Sequence, residues 1–350
     1  MAEGVPTVER AVAIALRAAT AIPSNEQTAP LIPQNLLEPM HEYYFANYRL
    51  LVDDAISSSN HMKFLAGFSQ KMPATHTFTL RMGDEALLER KYEEAITYPI
   101  VCETDLINVH DMHDSWAIVS LMDEDIKHSI KRVLICARDY SEMTLYISRH
   151  PFYVERIKGW TTAGFSIPLF VAFEAGMTMH DGIILHAALV EKDGYGVVFL
   201  GPSGMGKSTQ AKLWVEHQGA DFINGDRPGL RRIDGQWIGF GMPWDGKDRI
   251  RQQKQVPIRA FISLEQAPEN SIRRLTKQEA MIVLLNQVMK PVWDDAAMTL
   301  LLPLMGRLAD EIPFYHLRNL PNREATELTW NTILETEENN ANHHPDNTAD

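Results

Sequence analysis

Apolar residues follow three different rhythms along this chain. Over residues 1–70 they recur at helical spacing: Val8, Ala11, Val12, Ala15 and Leu16 mark one face of a helix that Pro23 ends. Pro30, Pro33 and Pro39 interrupt the next stretch, and a second helix is predicted over about 39–56. Its aromatic residues Tyr43, Tyr44, Phe45 and Tyr48 read as core. Residues 71–165 alternate instead, at 75–80, 116–119 and 143–147, with a short apolar run at 133–136, and predict a small strand-rich domain.

Over residues 166–335 strand and helix patterns take turns. A strand over 183–190 leads through the turn Lys192-Asp193-Gly194-Tyr195-Gly196 into a return strand over 197–200. A helix over 207–217 and a short strand over 221–223 follow. Asp234-Gly235 signals a hairpin between strands at 230–233 and 236–240. Beyond it come a strand over 259–264, helices over 277–290 and 294–308, a strand over 314–317 and a helix starting near Asn322. Residues 336–350 close a polar stretch without hydrophobic pattern, and a disordered tail is expected there. The alternation predicts an α/β C-terminal domain behind a smaller α+β N-terminal one.

Composition narrows the functional classes. The 350 residues suit two domains. No apolar run is long enough to cross a bilayer, and a net charge of −13 argues against nucleic-acid or anionic-membrane partners. Cys102 and Cys136 are too few for a disulfide framework and read as buried thiols of a reducing compartment. The apolar stretch 12–22 is broken by Arg17 and preceded by Glu3 and Glu9, a poor match to a signal peptide, and cytoplasmic residence is expected. His76, His110, His113 and His128 have no metal-binding spacing.

The chemistry concentrates in Gly201-Pro202-Ser203-Gly204-Met205-Gly206-Lys207-Ser208-Thr209, a Gly-x4-Gly-Lys-Ser/Thr phosphate-binding loop between a predicted strand and a predicted helix. Its glycines let backbone N–H groups face phosphate oxygens, and the helix N-terminus adds partial positive charge. Lys207 is expected to reach the β- and γ-phosphates of ATP, and Ser208 to join a Mg²⁺ shell. Asp226 comes nineteen residues after Lys207, just past a short strand. One helix and one return strand fit in that interval, so Asp226 can lie beside the loop and hold Mg²⁺ or take a proton from an attacking hydroxyl. His186 sits in the apolar run 183–188, where a histidine read alone is a core residue. Lys247, Arg249 and Arg251 form a basic cluster that is either a phosphate clamp or a solvated face.

Taken in order, these segments resemble the kinase domain of the HPr kinase/phosphorylase family. They are more similar still to HPr kinase-like proteins found beside peptide-modification genes, including those of lasso peptides. The resemblance rests on Leu185-His186-Ala187-Ala188-Leu189-Val190, Gly196-Val197-Val198-Phe199-Leu200, the phosphate loop, and Asp226-Arg227. Gly241-Met242-Pro243-Trp244-Asp245-Gly246-Lys247 is similar to a Gly-x-Pro-aromatic-x-Gly loop of those relatives, and of ATP-dependent phosphoenolpyruvate carboxykinases, which share the nucleotide-binding core. Pro313-Phe314-Tyr315-His316-Leu317 with Pro321 is similar to the end of the same domain, so about residues 180–335 are covered.

The resemblance implies transfer of the γ-phosphoryl group of ATP to a serine hydroxyl, with a histidine at the place of His186 near the transferred phosphate. It implies aspartates for metal and base after the strand, and relatives that are often oligomeric. This chain has Gly225-Asp226 where the family has an acidic pair, and Thr209 where HPr kinases have glutamate. Those departures argue against an HPr kinase itself and leave Asp226 to serve as metal ligand, base or both. The expected function is an ATP- and Mg²⁺-dependent kinase acting on a hydroxyl of a peptide or small molecule. The alternative is a nucleotide-binding regulatory or assembly ATPase of a biosynthetic complex. No Asn-Lys-x-Asp guanine signature favours a GTPase. Chain length and the lack of a recognisable second metal site disfavour a carboxykinase.

Overall fold

A computed structural model of the chain describes residues 40–57, 64–122, 130–147 and 161–342. The helix expected around Val8 to Leu16, the connector prolines and the last eight residues, 343–350, lie outside them. The chain divides into two compact units, Met1–Asp181 with Lys290–Pro303 and Gly182–Met289 with Leu304–Asp350. Each holds a mixed sheet and helices, an α/β organisation. Among the described residues no helix is long and apolar enough to cross a membrane.

The first unit is built on eight strands: β1 (Met40–Phe45), β2 (Tyr48–Asp53), β3 (His76–Met82), β4 (Ile100–Glu103), β5 (Asn108–Asp111), β6 (Ser115–Met122), β7 (Ile130–Ala137) and β8 (Glu142–Ile147). They lie in the order β1-β2-β3-β8-β7-β6-β5-β4, with β2–β3 and β3–β8 parallel. The helix expected over 39–56 is instead the β1–β2 hairpin, and only α1 (Asp54–Ser57) at its end is helical. Ala46 and Asn47 take φ of 52° and 59°, the left-handed pair of a tight hairpin turn, and Tyr48, Leu50 and Val52 alternate inward after it. Tyr44, Phe45 and Tyr48 are core residues, as expected.

Two helices stand where the sequence reading places none. In α2 (Leu88–Ile96), Leu88 and Ala95 pack on Ala117, Val119 and Val133. In α3 (Thr161–Met179), Phe173 lies with its ring 5.1 Å from Phe45 and 4.7 Å from Phe78. The α3 sequence is apolar all round and contains Pro168, so it carries no helical stripe to read.

The second unit supplies nine strands: β9 (Gly182–Ile184), β10 (Ala187–Lys192), β11 (Tyr195–Leu200), β12 (Asp221–Asn224), β13 (Gly229–Ile233), β14 (Gln236–Phe240), β15 (Gln255–Gln266), β16 (Ser271–Arg274) and β17 (Phe314–Asn319). Its helices are α4 (Lys207–Gln218), α5 (Lys277–Gln287), α6 (Asp295–Glu311), which begins among residues of the first unit, and α7 (Arg323–Asn342). The main path runs β12-β10-β11-β15-β14-β13-β9, and β17 pairs with β15 and β16. Long β15 joins β14 through its first residues and lies parallel to both β11 and β17 through the rest.

Both expected hairpin turns are present, with Asp193-Gly194 and Asp234-Gly235 at positive φ. Helices α4 and α7 bring Trp214 and Trp330 together over Phe199, in edge contact at 5.8 Å and 5.5 Å from Trp214. Helix α7 continues to Asn342, so the tail expected to be disordered from residue 336 is helical as far as that residue. The strand expected over 183–190 is broken at Leu185 and His186, because β9 pairs with β13 while β10 pairs with β11 and β12.

Gly241, just past β14, is held by backbone bonding across the chain's return. Its N–H donates to Lys254 O at 2.9 Å, and a Cβ there would lie 1.9 Å from the Gln252 carbonyl oxygen. Gly241→Ala is therefore expected to destabilise the fold by about 1–3 kcal/mol, since backbone cannot yield as a side-chain tip can. Urea unfolding would measure it; an unchanged midpoint would mean the 241–252 crossing has slack.

Candidate active site

Strand β11 ends at Leu200, and the chain turns through Gly201–Gly206 into α4. Gly204 and Gly206 have φ of 82° and 107°, which side-chain-bearing residues resist, so the tight loop is available only to glycine there. The first helical bond of α4 runs from Gln210 N–H to Gly206 O at 2.8 Å. The N–H groups ahead of it stand at a helix N-terminus, where partial positive charge favours an anion. Lys207 is buried, and its Nζ donates to Gly201 O at 2.7 Å and Pro202 O at 3.2 Å. Burial pushes its pKa down, Asp226 pulls it back up, and Arg227 adds a smaller downward push.

Asn224, at the end of β12 and fully buried, was not singled out from the sequence, yet it fixes the place of Asp226. Its Oδ1 accepts from the N–H of Asp226 at 3.0 Å and of Arg227 at 2.7 Å. Its Nδ2 donates to Met242 O and Trp244 O, both at 3.1 Å. An asparagine two residues ahead of an aspartate at a strand end is a local signal from which such a turn could be read. Asp226 O in turn accepts from Ala187 N–H at 3.1 Å, while His186 N–H donates to Gln287 O at 2.8 Å. The strand break thus carries His186 out of the sheet and sets its Nε2 3.4 Å from Asp226 Oδ1. Arg227 Nε lies 3.5 Å from the other carboxylate oxygen. Burial lowers the His186 pKa most, the charges of Lys207 and Arg227 lower it further, and Asp226 opposes them. The imidazole is therefore held neutral in a site with a carboxylate on one side and an ammonium nearby.

The segment 241–251 closes over this group. A Cβ on Gly246 would lie 3.0 Å from Asp226 Cβ, so the loop rests against the aspartate. The Arg251 guanidinium pairs with Asp245, and the Arg251 backbone forms a β-bridge with that of Asn224. Asp248 accepts from Lys212 Nζ at 2.6 Å, and Lys212 first, with Ser208 nearby, pulls its carboxyl below the ordinary range. Asp248 was also missed from sequence; nothing in the charged run 245–251 separates it from Asp245.

Two cavities of about 380 Å³ each adjoin the loop. One is lined by His186, Gly201, Pro202, Ser263, Asn286 and Gln287. The other lies along Met205, Thr209, Gln210, Gln266, Asn319 and Pro321. The predicted residues Gly201 through Thr209 form one continuous loop and helix start, with Ser203, Gly204 and Thr209 exposed. His186, Lys207 and Asp226 meet around it.

No family model matches this chain, and no curated protein does. Among solved structures it is similar to the HPr(Ser) kinase/phosphatase from Coxiella burnetii, over 46% of this chain and 96% of that one, with 18% identity and a TM-score of 0.29.

Asn224→Ala would strand two backbone N–H groups and two carbonyls. A loss of about 2–4 kcal/mol is expected from that many unpaired buried groups, measured by chemical denaturation. A loss below about 1 kcal/mol, the scale of one ordinary hydrogen bond, would show that water replaces the amide. For His186 the sign follows from its lowered pKa: its contribution to stability is complete above the ordinary histidine range and falls away as the pH drops through the depressed folded value. His186→Gln should flatten the stability profile between about pH 7 and 5, and an identical slope in the variant would rule out an imidazole whose pKa is lowered by the fold.

Proposed function

We propose that this chain is an ATP-dependent kinase that transfers the γ-phosphoryl group to a hydroxyl of a peptide or small-molecule acceptor. The observation that carries this reading is the meeting of Lys207, Asp226 and His186 at the mouth of the Gly201–Thr209 loop, with a cavity opening on His186. The loop N–H groups and Lys207 would hold the β- and γ-phosphates, trading the Gly201 and Pro202 carbonyls for phosphate oxygens. The acceptor would enter through the cavity lined by His186, Ser263 and Gln287. As its oxygen bonds to the γ-phosphorus, the bond from that phosphorus to the bridging oxygen breaks and ADP departs. The hydroxyl proton passes to the Asp226 carboxylate, with the neutral His186 imidazole beside it to share the charge.

The oxygen donors beside the loop, the Ser208 hydroxyl and nearby carboxylates, suit Mg²⁺ rather than a softer metal. Among the described residues no group of three or more His, Cys, Asp or Glu side chains is placed to hold a metal. The ion would therefore come with the nucleotide and supply charge neutralisation at its phosphates.

The test uses γ-labelled ATP with candidate hydroxyl acceptors, the precursor peptides of neighbouring genes first among them. Label in the acceptor supports the kinase; label only in free phosphate supports the regulatory or assembly ATPase instead. Lys207→Ala should abolish transfer and weaken ATP binding, because the phosphate charge loses its cation. Asp226→Asn should bind ATP within about tenfold yet lose roughly 10²–10⁴ in transfer rate, the range for a positioned base. Near-normal turnover in Asp226→Asn would remove that residue from the chemistry.

A further inference from the structure

The cavity along Met205 carries no charged side chain in its lining. Its walls are the Gly204–Gly206 bend, the apolar Met205, Leu320 and Pro321, and three side-chain amides. Gln210 comes from the first turn of α4, Gln266 from the end of β15 and Asn319 from the end of β17. Gln266 and Asn319 are register partners, so they stand side by side where those parallel strands end. Gln266 Nε2 donates to Gly204 O at 3.2 Å, which joins this wall to the phosphate loop.

Two of these amides are left open by the protein. Gln210 is 1% exposed, and neither its Oε1 nor its Nε2 has a hydrogen-bond partner among the described residues. Asn319 is 6% exposed; its Nδ2 donates to Leu320 O at 3.2 Å, which fixes the amide, while its Oδ1 has no donor among those residues. Buried amides are nearly always paired, because an open one costs stability. Two unpaired amides on one cavity wall therefore point to a ligand that pairs them.

The place of the cavity decides which part of a nucleotide it meets. It touches the loop at 204–206, whereas the cavity at His186 touches it at 201–202, and the two share no lining residue. With the γ-phosphate directed at His186 and Asp226, the rest of the nucleotide leaves the loop past Gly206 and Thr209, beside this cavity. An uncharged cleft with apolar sides and a few polar groups suits a nucleobase. The open groups are two carbonyl oxygens, on Gln210 and Asn319, and one amide NH₂, on Gln210. Adenine offers its N6 amino donor beside the N7 acceptor, the pattern a glutamine amide binds with both ends. The same edge of guanine carries only the acceptors O6 and N7, which would face the oxygens unpaired.

We propose that this cavity is an adenine-binding site, in which Gln210 pairs with the N6/N7 edge and Asn319 Oδ1 accepts from the remaining N6 hydrogen, so that ATP is selected over GTP. The proposal rests on the nucleotide-binding reading given above.

Calorimetric titration of the full chain with ATP, GTP, inosine triphosphate and tripolyphosphate, each with Mg²⁺, tests it. The wild type should bind ATP at least about tenfold more tightly than GTP or inosine triphosphate, within the range for one two-ended base contact. In Gln210→Met and in Asn319→Ala that preference should shrink to within about threefold, while tripolyphosphate affinity stays within about twofold. Gln210→Met should also keep or raise the thermal midpoint, since it removes a buried amide that the unliganded protein leaves unpaired. Thermal melting checks that each variant is folded, and either variant alone carries the comparison. Equal affinity of the wild type for the three nucleotides, or an ATP preference that survives both substitutions, overturns the base site, and tripolyphosphate binding then leaves the phosphate-loop reading standing. A wild-type chain that binds neither nucleotide nor tripolyphosphate overturns both readings.

Discussion

A single buried amide sets the geometry on which the candidate site depends. Asn224 reads two N–H groups of its own turn with its oxygen and two carbonyls of a distant loop with its nitrogen. All four partners are backbone, so the amide fixes main-chain paths rather than rotamers. The first pair aims Asp226; the second brings residues 242–244 over it, and a Cβ at Gly246 would press on the aspartate at 3.0 Å. A buried asparagine with both ends satisfied costs little to keep, whereas any apolar replacement strands several groups at once. The turn, the loop and the carboxylate between them are therefore a single unit.

Lys207 illustrates how such a unit stays ready for a ligand. Its ammonium is buried and bonded to carbonyls of its own loop, so its desolvation is met before any phosphate arrives. A neutral carbonyl bond contributes about 0.5–1.5 kcal/mol net. Opposite charges about 4 Å apart near a protein surface attract by about 4 kcal/mol at an effective dielectric of 20. A phosphate carrying two or more charges therefore outcompetes the carbonyls, and the lysine moves only a short way to change partners. The burial that lowers its pKa works in the same direction, because a weakly hydrated cation gives up less water on binding.

Much of the second unit is legible in sequence because its signals are local. Asp193-Gly194 and Asp234-Gly235 require positive φ and mark hairpins wherever they stand. The glycine pattern at 201–206 with Lys207 and Ser208 likewise defines strand, loop and helix within a dozen residues. The first unit is less legible, for two physical reasons. The 40–53 hairpin turns on Ala46-Asn47, which is not a glycine signal, and its aromatic residues fit a helical spacing as well as an alternating one. Helix α3 is apolar on every side, so periodicity is silent on it. The turn that Asn224 makes with Asp226 and Arg227 is local, but its hold on the loop and the pairing of Asp248 with Lys212 reach 18 to 20 and 36 residues respectively, separations that no short motif encodes.

His186 joins the two kinds of information. In sequence it lies inside an apolar run, where the expected fate of an imidazole is a satisfied place in the core. The run is not one strand, however: residues up to Ile184 pair with β13, residues from Ala187 pair with β11, and the two registers cannot both continue through His186. The N–H of His186 must then find another acceptor, and it takes Gln287 O at the end of α5. Its side chain is left part-exposed at the cavity, beside a carboxylate whose own backbone is bonded to the next residue. The discontinuity that makes the strand harder to read is thus the feature that turns a core histidine into one facing Asp226. Partial burial and the charges of Lys207 and Arg227 push its pKa down, and an uncharged ring beside an aspartate can share a proton that a charged one would repel.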